Sequence, residues 1–259
     1  MKKSIMFSIL ILISLILSMS ISQSKEIENK IYVNDDGTEE YTSIQEAINN
    51  VSHNSSIYVK NGEYIEDIYV NKTLSLIGED NNYTNISGCF HVIADMVTIT
   101  NFKIDSSKNI DKTLDYGIEI RSNSSTIKNN IITNNKIGIG IYDFNNSIYH
   151  NNFINNTKQG KDSGNNTWFN KKLQQGNYWD DYNGSDTDND GIGNNPYNIT
   201  ESGVQDSYPL MMPYDEFINI NKRGFNLDEL AYVLTIGVIL SVVFLVPIAY
   251  YFRKKILKL

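Results

Sequence analysis

An all-β solenoid is what this chain predicts: a parallel β-helix with a short N-terminal capping helix and a C-terminal transmembrane helix. Three observations carry that reading. First, Gly117 to Asn156 says nearly the same thing twice. Gly117-Ile118-Glu119-Ile120-Arg121 leads into Ser124 to Asn135, and Gly138-Ile139-Gly140-Ile141-Tyr142 leads into Asn146 to Asn156. The period is about 21 to 22 residues, within the range of stacked-repeat architectures. Second, isoleucines alternate with polar residues inside each unit, the period of a strand. Third, Asn-rich corners separate the runs, and asparagine tolerates the left-handed backbone of a tight corner. A unit this small cannot bury its own apolar face and must stack on its neighbours.

The elements follow in order. Lys2-Lys3, an apolar run from Ile5 to Met19 and small residues at Ser18, Ser20, Ser22 and Ser24 predict a secretory signal peptide over residues 1–24. An uncleaved anchor fits the same run by length. Residues 25–55 hold a strand, Lys30 to Val33, and a helix whose capping box is Ser43 with Glu46. Ile44, Ala47 and Ile48 give that helix one apolar face, suited to plugging the open end of a solenoid. Coils fill residues 56–175, with Asp105 to Asp115 projecting as a charged insertion. About six coils at strand spacing make a stack roughly 25 to 30 Å tall.

Residues 176–213 leave the repeat. Gly176-Asn177-Tyr178-Trp179-Asp180-Asp181-Tyr182 concentrates aromatic residues and reads as a cap over the last coil. A polar stalk, residues 214–229, runs into Leu230 to Phe252, long enough to cross a bilayer as a helix. Arg253, Lys254, Lys255 and Lys258 in the tail, residues 253–259, hold that end in the cytoplasm and place the preceding chain outside the cell.

A formal charge of −8 and the lack of a basic stripe argue against nucleic acid as a partner. The single cysteine, Cys89, excludes an internal disulfide and reads as a small buried hydrophobe. Glycosylation acceptor triplets are dense, at Asn71, Asn123 and Asn183 among others, as suits an exported surface glycoprotein.

Two stretches carry a family resemblance. Thr42-Ser43-Ile44-Gln45-Glu46-Ala47-Ile48 resembles the opening of pectin lyase-like right-handed β-helix proteins. Gly176 to Tyr182, Asp190-Gly191-Ile192-Gly193, Pro196-Tyr197 and Asp206-Ser207-Tyr208-Pro209-Leu210 resemble NosD-like repeat proteins of archaeal cell surfaces. The resemblance spans about Ile31 to Pro213. It implies a right-handed coil, an envelope location and dealings with carbohydrate. The copper delivery associated with the namesake needs soft ligands, and Cys89, Met96, Met211, Met212 and the histidines show no ligand spacing.

Three constellations are candidates for chemistry. Asp186, Asp188 and Asp190 alternate ahead of Gly191, matching the first half of an EF-hand loop. Ile192 would add a backbone carbonyl and Asn194 a further oxygen, so the expected cofactor is structural Ca²⁺. Tyr197 stands where the bidentate Glu belongs. Tyr178, Trp179, Tyr182 and Trp168 form an aromatic group that either stacks on sugar rings or packs over the last coil. On the coil face, aligning Ile99 with Ile127 sets His91 over Glu119, with Gly140 next and Arg121 near Tyr142. An acid, a base and an aromatic there have the means to act on a sugar.

The expected protein is a single-pass cell-membrane protein with an extracellular ectodomain: a non-enzymatic envelope module, structural or binding carbohydrate or protein. Its expected partners are the membrane, envelope glycans and surface proteins. The alternative is a polysaccharide-active hydrolase or lyase with a shallow site on the coil face. Convergence of His91, Glu119 and Arg121 in one groove separates the two.

Overall fold

The computed structural model describes residues 30–108, 116–199 and 203–224. The signal segment, the insertion tip 109–115, the apolar run 230–252 and the basic tail lie outside the described residues. Among the described residues no helix is long and apolar enough to cross a membrane.

The chain winds into a right-handed parallel β-solenoid of about six turns. One face stacks Ile31–Val33, Ser55–Val59, Leu74–Gly78, Thr98–Thr100, Thr126–Lys128 and Ser147–Tyr149. A second stacks Gly62–Tyr64, Thr84–Ile86, Lys103–Asp105, Ile131–Thr133, Asn152–Ile154 and Tyr178–Trp179. The third stacks Ile68–Val70, Phe90–Val92, Tyr116–Ile120, Ile137–Ile141 and Lys158–Asp162. Pairing is parallel and in register, so like residues pile into columns. Leu76, Ile99, Ile127 and Ile148 form one. Ile86, Ile104, Ile132, Phe153 and Trp179 form another. Each such side chain is buried, worth roughly 1.5 to 3 kcal/mol apiece before entropy is charged. A one-residue slip would turn a whole column outward.

The corners are left-handed as the asparagines predict: Asn101, Asn129, Asn134, Asn145 and Asn155 all have positive φ. The residues after them make ladders through the stack. Asn130 donates from its backbone and side chain to the Asn151 Oδ1, and Asn151 does the same to Asn177. Asn146 repeats the pattern on Asn166, and Asn135 on Asn156. Every ladder runs in one direction and ends on a carboxylate. Asn177 ends on Asp206, Asn166 on Asp162, and Asn156 passes through Gln159 to Asp180. An amide NH₂ can only donate, whereas both oxygens of a carboxyl group can accept, ionised or not, so it can close the chain without leaving the incoming donors over.

The helix Ile44–Asn50 buries Ile44, Ala47 and Ile48 against the first coils. Ser43 Oγ accepts from the Glu46 N–H, but the carboxylate at this end is not that of Glu46. Glu66, from the first coil, accepts from Ser43 Oγ and from the N–H groups of Ile44 and Gln45. At the other end Lys72 donates to the carbonyls of Ile48, Asn49 and Val51. The solenoid thus supplies partners to orphan groups at both ends of the helix.

At the C-terminal end the expected boundary shifts. Tyr178–Trp179 is the last strand of the second face rather than part of a separate cap. Beyond it a short hairpin, Tyr197–Asn198 with Gln205–Asp206, and a helix, Tyr214–Gly224, lie over the end and one corner of the stack.

Candidate functional site

The third face carries one outward column of residues: Tyr69, His91, Glu119, Gly140 and Lys161, paired coil to coil. Their neighbours in each strand, such as Phe90 with Val92 and Ile118 with Ile120, point into the core, so alternation fixes these positions outside. The imidazole of His91 stacks on Tyr69 with centroids 4.5 Å apart. Its Nδ1 lies 3.1 Å from Glu119 Oε2, and Arg121 donates to Glu119 Oε1 at 2.9 Å. His91 and Glu119 side chains are only 13% and 15% exposed, against 57% for Arg121. The three candidates do converge.

Two tyrosines complete the cluster. The Tyr116 ring lies across Gly140, where a Cβ would meet its Cε1 at 2.5 Å. Its hydroxyl is 2.5 Å from that of Tyr142. Tyr142 in turn carries Arg121 4.5 Å and Lys161 5.0 Å from its ring centre, within range of a cation–π attraction. The hydrogen bond to Glu119 and its charge raise the Arg121 guanidinium above its ordinary value. The polar atom of this cluster left without a partner is His91 Nε2, which is buried. Cys89 approaches the same imidazole at 3.9 Å, and burial pushes its thiol well up, so it stays a neutral neighbour.

This arrangement holds a carboxylate between an imidazole and a guanidinium, with the carboxylate and imidazole largely withdrawn from solvent and the guanidinium exposed. The column has one carboxylate. Acid–base cleavage of a glycosidic bond uses two, about 5 to 9.5 Å apart. One carboxylate with a proton carrier and a fixed cation suits addition of water to an ester carbonyl, where the cation meets the developing oxyanion.

The other sequence candidates divide. Asp186, Asp188 and Asp190 come together, each offering an oxygen within 4.8 Å of the others. Asp186 Oδ2 accepts from the Gly191 N–H, and its Oδ1 is buried without a partner. Asn194 does not join them, because its Oδ1 accepts from the backbone and hydroxyl of Thr187. Ile192 donates its N–H to Asp190.

For the tryptophans of the aromatic group the structure takes the packing alternative and corrects the sugar-stacking one. Trp168 and Trp179 are 0% and 1% exposed, and cannot present a face to a sugar. They fill the end of the core, with Trp179 stacked between Phe153 and Tyr197. Each indole N–H finds a ladder-ending carboxylate, Asp162 for Trp168 and Asp206 for Trp179, which is what lets a large polar-tipped ring be buried. Tyr178 pairs along the last strand, leaving Tyr182 beside an open cavity of about 630 Å³ with Tyr197 and Asp181.

Sequence reasoning missed Tyr69, Tyr116 and Lys161. The signal for Tyr69 was present: Ile68-Tyr69-Val70 and Phe90-His91-Val92 are parallel apolar–aromatic–valine triplets.

A family model described as Pectinesterase matches residues 30–130, fewer than half of the chain. No curated protein sequence matches it. Among solved structures, the chain is similar to a pectin methylesterase in complex with a hexasaccharide, at 13% identity and TM-score 0.38, covering 57% of this chain and 59% of that one. It is similar to the pectin methylesterase of Aspergillus niger at 12% identity and TM-score 0.36, covering 57% and 63%. The enzyme from carrot gives 14% and 0.34, covering 57% and 60%. The chain thus spans about six-tenths of the length of those proteins. The expectation of a non-enzymatic envelope module is corrected by the family match: it spans the coils that carry His91, Glu119 and Arg121, and it favours a polysaccharide-active enzyme.

Proposed function

We propose that the chain is a carbohydrate esterase acting on an esterified polysaccharide laid along the third face. The observation that supports this reading is the meeting of His91 and Arg121 on the single carboxylate of Glu119, within the matched residues. In this reading Glu119 takes a proton from water as its oxygen adds to the ester carbonyl. Arg121 donates to the oxyanion, and His91 orients the carboxylate from the other side. Collapse expels the alcohol, which recovers the proton, leaving acid and alcohol as products. Tyr116 and Tyr142 supply flat aromatic surface beside the reacting group.

The test is direct. Methyl-esterified and acetylated polysaccharides are incubated with the purified chain, and released methanol, acetate and acid are titrated. Glu119→Gln should lower turnover by about a hundred-fold or more, in the range of a lost acid–base group, with unchanged melting temperature. An active wild type whose E119Q variant is equally active removes the site, and no release from any ester removes the activity.

The clustering of Asp186, Asp188 and Asp190 favours a second reading, Ca²⁺ as a structural ion in the cap loop. Display at the cell membrane through residues 230–252, with the likeness of the cap to NosD-like surface proteins, belongs to the same proposal. Protease digestion of intact cells tests it: an uncut ectodomain would refute outward exposure.

A further inference from the structure

The corner after each of the last three strands of the first face is left-handed, occupied in successive coils by Asn101, Asn129 and His150, with φ of 65°, 56° and 59°. Asparagine suits that backbone without help. Histidine is also tolerated there, and in this coil its ring meets the C-terminal helix. Tyr214 stacks on the His150 ring at 4.0 Å and 12°, and its backbone N–H donates to Asn152 Oδ1 at 2.8 Å. From there the helix lies along the same corner. Tyr214, Asp215 and Ile218 roof a cavity of about 280 Å³ floored by Asn101 and Asn129, and Asp215 accepts from Asn81 at 3.5 Å. Phe217 is buried on the far side, against Gly191, where an added Cβ would meet its ring at 2.9 Å.

His150 is 5% exposed, and its Nε2 is buried with no hydrogen-bond partner. A neutral imidazole tolerates this, because a bare nitrogen needs no acceptor. A charged one would place an N–H where nothing receives it, which burial makes costly. The groups around it help little: Lys128 from the preceding coil is itself a cation, Tyr149 meets the ring edge-on, and only Gln175 favours the charged form, against the larger effect of burial. The strap sets the face of the Tyr214 ring against it, a weak attraction for a cation beside the loss of its water.

We propose that His150 is a pH-sensitive latch: the Tyr214–Gly224 strap is docked while the imidazole is neutral and is released when it gains a proton. Burial, with Lys128 adding to it and Gln175 opposing, lowers the docked imidazole to about 4 from an ordinary 6.5. The released form therefore binds protons more readily than the docked form. Docking is complete above the ordinary value and weakens as pH falls from there towards 4, by about a hundred-fold or more across the window.

Hydrogen–deuterium exchange on the full chain tests this, with rates corrected for the intrinsic pH effect. The strap peptide is compared with that of Ile137–Ile141 in the same sample. Between pH about 7 and about 4, strap protection should fall at least ten-fold while the coil strand keeps its own. His150→Phe keeps a stacking ring that cannot charge and should hold the strap at both pH values. Tyr214→Ala, which leaves the solenoid intact, should show a strap that is open at both. Loss of strap and coil protection together would overturn the latch, as would a strap protected throughout in the wild type. The same midpoint in His150→Phe, or pH-dependent protection in Tyr214→Ala, would do so equally.

Discussion

Asn177 directs its backbone N–H, at 2.7 Å, and its side-chain amide, at 3.3 Å, onto a single oxygen of Asp206. That carboxylate also receives the Trp179 indole and the Tyr208 N–H. It ends an amide chain that begins at Asn130 and ties the C-terminal hairpin to the last coil.

Asp206→Asn should therefore be costly although it is nearly isosteric. The new NH₂ group faces donors, so at least one buried N–H loses its acceptor, at about 1 to 3 kcal/mol per group. Denaturant unfolding of the variant should show a loss of that size. An unchanged midpoint would mean that the chain does not need a carboxylate at its end.

The same residue gives a pH signature. Burial, opposed by its hydrogen bonds, raises the Asp206 carboxyl to about 7 from 3.8. The folded state then holds this proton more tightly than the unfolded state does. The contribution is complete below the unfolded value and is lost as pH rises through about 7. Stability of the wild type relative to Asp206→Asn should decline from pH about 4 to about 7 and level off above, read by thermal melts of both.

Two glycines on the third face should behave differently. A Cβ on Gly138 would meet the Gln159 carbonyl at 2.5 Å, backbone that is fixed by the ladder, so Gly138→Ala should cost about 1 to 3 kcal/mol in overpacking. At Gly140 the obstacle is the Tyr116 ring, a side chain at the surface. Gly140→Ala should keep nearly all stability but displace Tyr116 from its 2.5 Å hydroxyl contact with Tyr142. The expected result is a raised KM on esterified polysaccharide with an unchanged melting temperature.

If the cap loop holds Ca²⁺, millimolar ion should raise the melting temperature and chelator should reverse it, by linkage of binding to the folded state. Asp188→Asn, at an exposed position, should weaken the effect without lowering the ion-free melting temperature. Equal melts with and without chelator would leave the loop an ordinary acidic turn.

Much of this was readable from residues alone. The Ile-polar alternation gave the strands, and the asparagines gave the corners. Aligning Ile99 with Ile127 was enough to place His91 beside Glu119 and Gly140, as the observed register has it. The spacing from His91 to Glu119 is 28 residues rather than 21 because the insertion falls between Lys103–Asp105 and Tyr116–Ile120. Packing of the two tryptophans over the last coil was one of the two readings, but the acceptors that allow their burial were hidden: Asp162 and Asp206 stand 6 and 27 residues away. Glu66 was hidden in the same way: Glu46 sits at the right local spacing for a capping box, but a carboxylate 22 residues on takes the Ile44 N–H.

By itself, then, the sequence determined what depends on neighbours in the chain: strand period, left-handed corners, the apolar face of the first helix and the residues that share a column. Only the tertiary structure decided which of two equally polar groups meets a given donor. It set Glu119 between His91 and Arg121, laid Tyr116 across Gly140 and ended each amide ladder on an aspartate. The reason is physical. Side-chain direction within a strand follows from alternation, whereas hydrogen-bond partners between coils follow from stacking register, which exists only once the coils have closed on one another.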